Sequence, residues 1–105
     1  MKRPKHLKVL DLDYTIEWTD QDWSNQTGSH GQQSYPDQKI RIQKTRPQVE
    51  ANTFLHETLH ACADAMSLDD SSTEEDFVSR LATALTAVWR DNPKAFAWWR
   101  NSLKP

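Results

Sequence analysis

Lys39-Ile40-Arg41-Ile42-Gln43-Lys44-Thr45-Arg46-Pro47-Gln48 changes its period part-way along. Ile40 and Ile42 fall on one side of an extended chain and the charged residues on the other, which is the pattern of a half-buried strand. Thr45 and Gln48 then stand at the spacing of a capping box, with Pro47 where a first helical turn accepts it. The stretch therefore predicts a strand over 39–43 and a helix from about residue 46 to about Met66. The apolar positions of that helix are Val49, Phe54, Leu55, Leu59, Cys62 and Met66.

Upstream, Tyr35-Pro36-Asp37-Gln38 reads as a turn into the strand. Residues 19–30 are polar apart from Trp23 and read as a loop. Leu7-Lys8-Val9-Leu10 and Tyr14-Thr15-Ile16-Glu17-Trp18 have strand character, being β-rich and partly alternating. Downstream, residues 67–73 break the helical pattern and offer Ser71, Ser72 and Thr73 as caps. Glu74-Glu75-Asp76 then places negative charge at the start of a second long helix, where the helix dipole favours it. That helix ends at Asp91-Asn92-Pro93, and a last short one from Pro93 to about Leu103 carries Phe96, Trp98 and Trp99. The expected fold is α+β: a short, mostly antiparallel sheet packed on one helix, with a second long helix and a short C-terminal one. No repeat or low-complexity tract interrupts it.

At 105 residues the chain reads as one domain spanning 1–105. Apolar residues make up only 36% and charged residues 27%, yet five Trp, three Phe and two Tyr supply large hydrophobic bodies that a disordered chain lacks. No apolar run approaches the roughly 18–20 residues that span a bilayer, so no membrane partner is expected and the cytoplasm is the expected location. The formal charge of −2, with a basic cluster only at Lys2-Arg3-Pro4-Lys5, argues against a nucleic-acid groove. The single cysteine, Cys62, fits a reducing compartment.

The chemistry-bearing motif is His56-Glu57-Thr58-Leu59-His60, inside the helix read from caps and period. Positions 56 and 60 lie about 40° apart on a helix, so both imidazoles can reach one metal ion. Glu57 can contact a water bound to that ion and take its proton. Zn²⁺ suits these ligands. A closed structural zinc site, completed by His6 or His30, is the competing reading, but such a site has no use for the glutamate after the first histidine.

His56-Glu57-Thr58-Leu59-His60-Ala61, with Glu74-Glu75-Asp76-Phe77-Val78-Ser79-Arg80-Leu81-Ala82 and Trp89-Arg90-Asp91-Asn92-Pro93, resembles the small zincin-like metallopeptidases of bacteriophages and prophages. These look like a minimal relative of the repressor-cleaving ImmA/IrrE type and of the gluzincins. The resemblance covers roughly residues 35–93. It implies a cytoplasmic zinc peptidase acting on a protein or peptide substrate, with the two histidines and a downstream glutamate as metal ligands. It also implies a substrate laid along an edge strand, for which the strand over 39–43 is the expected partner. Between the two glutamates, Glu74 falls within about 20° of Leu81 on the apolar face of the second helix, and Glu75 about 120° away. Glu74 is therefore the expected third ligand, with Ser72 and Glu75 free to form a capping box. The alternative function is a non-catalytic, zinc-stabilised protein-binding module on the same scaffold. A DNA-associated protein rests on Lys2-Arg3-Pro4-Lys5 alone.

Other residues invite functional readings. Cys62 lies about 200° from His60 around the helix and is expected to be a small buried hydrophobe. Asp64 either orients a histidine or is solvated. His6 and His30 are expected in water, with His30 and Tyr35 as weak candidates for oxyanion stabilisation. Trp89, Trp98 and Trp99 are spaced to pack helix against helix.

Overall fold

A computed structural model describes residues 1–20 and 30–105. The loop reading at 21–29, Trp23 included, lies outside the described residues. Strands β1 (His6–Val9) and β2 (Leu12–Thr19) pair antiparallel, with Leu7 opposite Tyr14. A tight turn joins them, and Leu10 takes the left-handed backbone conformation there (φ 58°). Strands β3 (Gly31–Ser34) and β4 (Lys39–Gln43) are also antiparallel, whereas β2 and β4 run parallel with Ile16 opposite Ile40. The sheet order is β1-β2-β4-β3.

Alternation along these strands turns Leu7, Val9, Tyr14, Ile16, Ile40 and Ile42 to one face, where all six are buried. The other face carries Lys8, Asp13, Thr15 and Glu17, all exposed. The helices α1 (Pro47–Ala65), α2 (Glu74–Asp91) and α3 (Pro93–Ser102) complete the core on the apolar side. Phe54 of α1 meets Phe96 and Trp98 of α3 edge-on at 5.6 and 5.5 Å between ring centroids, and Trp98 meets Trp18 of β2 at 5.4 Å. The α+β fold read from the sequence is therefore the fold observed.

Three local expectations need correction. The Gly31-Gln32-Gln33-Ser34 strand was not foreseen, because none of its residues is β-branched or aromatic; main-chain pairing to β4 holds it. Its presence moves β4 into the sheet interior, between β2 and β3, so residues 39–43 offer no edge to a substrate. The Thr45/Gln48 capping box does not form: Arg46 is the N-cap and makes no side-chain cap bond. Instead the Glu50 carboxylate reaches back to accept the Thr45 N–H at 2.8 Å. Arg3 bonds the same carboxylate at 2.9 and 3.0 Å, so part of the basic N-terminal cluster is a structural tie.

The third correction concerns α2. Its cap is Thr73, whose hydroxyl accepts from Asp76 N–H at 3.1 Å while the Asp76 carboxylate accepts from Thr73 N–H at 2.9 Å. Neither Ser71 nor Ser72 caps the helix. Glu74 and Glu75 are consequently the first two helical residues, and both are exposed.

Candidate metal centre

His56, Glu57 and His60 sit in the middle of α1, whose opposite side is fixed in the core by Phe54, Ala61 and Cys62. The helix is thereby held at one rotation, which leaves the two histidines facing out. Their Nε2 atoms stand 3.1 Å apart. Two imidazole nitrogens at about 2.0–2.1 Å from a tetrahedral ion would be separated by about 3.3 Å, so the pair fits one ion with little adjustment. Glu57 lies one position further round, toward the sheet, and its side chain is only 4% exposed. One carboxylate oxygen is 3.8 Å from His56 Nε2. The other, Oε2, is buried and has no hydrogen-bond partner among the described residues. Buried carboxylate oxygens are normally paired or bound to a cation. The ligand atoms of all three residues lie within 4.8 Å of one another, and this group can hold a metal ion.

Burial pushes the Glu57 carboxyl above its usual range, while His56 and His60 pull it back. Gly31 of β3 lies directly against this part of the helix. A Cβ there would come within 2.6 Å of Thr53 Cγ2 and 3.2 Å of Glu57 Cγ. Gly31, Gln32 and Gln33 form one wall of a shallow cleft of 390 Å³, and the metal-capable trio forms the other. Gln33 pins this wall, its amide donating to Tyr14 OH at 3.1 Å and to Asp64 Oδ2 at 2.8 Å. Asp64 thus anchors the edge strand to α1.

Of the residues expected at the site, His56, Glu57 and His60 come together and Glu74 does not. Glu74 is exposed in the first turn of α2 and lies outside the group, as does Glu75. The physical reason is the Thr73 cap together with the packing of α2, which is buried only further along, at Ala84 and Val88. Cys62 is fully buried and its thiol is pushed up to about 11 by burial, in keeping with a core role. His30 meets Gln43 Oε1 at 3.3 Å, Tyr35 is in an exposed turn and His6 is exposed on β1; none of them joins the trio. Gly31 and Gln33 were not singled out from the sequence. The one available signal was that Gly31 is one of only two glycines in the chain. Comparison with protein-family models, curated proteins and solved structures gives no match, so the site rests on its own geometry.

Proposed function

We propose that this chain is a zinc-dependent peptidase that cleaves an extended segment of a protein or peptide. The observation that carries this reading is the convergence of His56 and His60 Nε2 at 3.1 Å beside a buried carboxylate oxygen without a hydrogen-bond partner among the described residues. His56 and His60 hold the ion, and Glu57 serves as general base. Zinc in such a site supplies Lewis acidity and lowers the pKa of a bound water to about 7. The Glu57 carboxylate, buried beside the histidines with one oxygen 3.8 Å from His56 Nε2, is positioned to accept a proton there.

The substrate lies along β3 in this reading. Gln43 N–H donates to His30 C=O at 2.8 Å, which sets the alternation of the β3–β4 ladder and turns the Gln33 main chain away from β4. An extended peptide can add there through main-chain bonds and pass the trio across the cleft.

The test uses a proteome-derived peptide library incubated with zinc-loaded protein, with new termini read by mass spectrometry. The wild type should generate cleavages that a chelator abolishes. Glu57→Gln should retain zinc and generate none, because the amide keeps the size of the side chain but cannot accept the proton. Undiminished cleavage by that variant, or none by the zinc-loaded wild type, overturns the peptidase reading.

A further inference from the structure

We propose that the outer face of α2 is a self-association surface whose occupant is α2 of a second copy, packed antiparallel. The inward face of α2 is marked by Ala84 and Val88, with Leu81 against the core. Beside it, Val78, Ala82, Leu85 and Trp89 recur at the i, i+4, i+7, i+11 spacing of a helix-pairing seam, within an arc of about 60°. Val78 is 58% and Trp89 47% exposed, and Ala82 is exposed as well.

The seam holds a knob and a hole. Trp89 is the knob, fixed in place by stacking on Phe96 at 4.5 Å and 14° and by an edge contact with Trp99 at 5.6 Å. Little side-chain freedom remains for it to lose on association. The hole is a hollow beside Trp89 that Ala82, Leu85, Thr86 and Arg90 line, with the small residue where a large one must enter. Ala82 and Trp89 are about 10 Å apart along the helix. A two-fold axis near Leu85 and Thr86 therefore seats each Trp89 over the other copy's Ala82, which is the self-complementarity an isologous contact requires.

Charge selects the antiparallel direction. The first turn of α2 carries Glu74, Glu75 and Asp76, while Arg90 and Lys94 lie at its far end. Arg90 is engaged by Asp91 at 2.9 Å, and Asp76 by the Thr73 N–H at 2.9 Å and by Arg80 at 3.9 Å, which leaves exposed Lys94 to face Glu74 and Glu75 of the opposing turn. A parallel pair would set like charges and helix dipoles side by side. The seam is also remote from the cleft, since α2 packs on β1 and the cleft borders β3 at the opposite sheet edge.

Sedimentation equilibrium of the full chain tests this, with Ala82→Glu as the variant because position 82 is exposed and glutamate is a good helix former. The wild type should be a dimer with a dissociation constant on the order of micromolar. Ala82→Glu should weaken it by about a hundredfold or more, with a melting curve that matches the wild type's at concentrations well below the dissociation constant, where both are monomers. On mild oxidation Thr86→Cys, near the axis, should cross-link, whereas Val78→Cys, about 20 Å from its counterpart, should not. A wild type that stays monomeric at about 500 μM, far above the dissociation constant claimed, overturns the proposal. So does a dimer untouched by Ala82→Glu, or cross-linking at Val78→Cys in place of Thr86→Cys.

Discussion

A methyl group on Gly31 would lie 2.6 Å from Thr53 Cγ2 and 3.0 Å from the Arg41 carbonyl, closer than carbon atoms rest without strain. Gly31→Ala should therefore destabilise the fold by about 1–3 kcal/mol, the usual penalty of overpacking, as read from urea midpoints. Thr53→Ser removes the offending methyl and keeps the hydroxyl that donates to the Val49 carbonyl at 2.9 Å. In that background the penalty should shrink; an equal penalty in both would place the strain elsewhere. Cys62 makes a second prediction at this scale. Its thiol pKa is raised from 9.0 to about 11, so the folded state retains a proton that the unfolded chain gives up. Stability should fall as pH rises from about 9 to about 11, more steeply than in Cys62→Ala, which keeps only the loss that starts above about 10 because burial also pushes the Tyr14 hydroxyl up. Denaturation midpoints across that window decide it. His56, Glu57 and His60 were legible in the sequence because fixed spacing on a helix fixes their relation. Glu74 was misread because its placement depended on which of three adjacent hydroxyl residues caps the helix, a choice settled by Asp76 closing the box with Thr73.

Among the elements, β1, β2, β4 and all three helices could be read from alternation, helical period and prolines. Strand β3 could not, because nothing in Gly-Gln-Gln-Ser favours a strand apart from the partner beside it. That omission hid which strand is the edge. The opposite edge, β1, is partly closed by the residue between α2 and α3. Asn92 Oδ1 accepts from Lys8 N–H at 2.8 Å, and its amide donates to the Lys8 and Val88 carbonyls at 2.7 Å each. The side chain thus stands in for a neighbouring strand at one residue and ends α2 with the same group. Asn92→Ala should lower stability by about 1–3 kcal/mol, given the modest net worth of each bond. Hydrogen exchange at the Lys8 amide should accelerate more than at Leu7, and uniform acceleration along β1 would refute a local role.

Among the described residues the molecule is one sheet with its helices on one face, and none of these helices is long and apolar enough to cross a membrane. Its N-terminal segment is held by Arg3 on Glu50 and by Trp18 Nε1 donating to the Pro4 carbonyl at 2.7 Å. These ties set α1 against β2, and the wall of β3 then meets α1 at Gly31, so that Glu57 is buried while His56 and His60 remain accessible. The central claim is that this frame builds a metal centre from His56 and His60. Elemental analysis of protein dialysed against buffered zinc tests it most directly. The wild type and Glu74→Ala should each carry about one zinc per chain, and the His56→Ala, His60→Ala double variant almost none while remaining folded. Equal zinc in the wild type and the double variant would contradict the account.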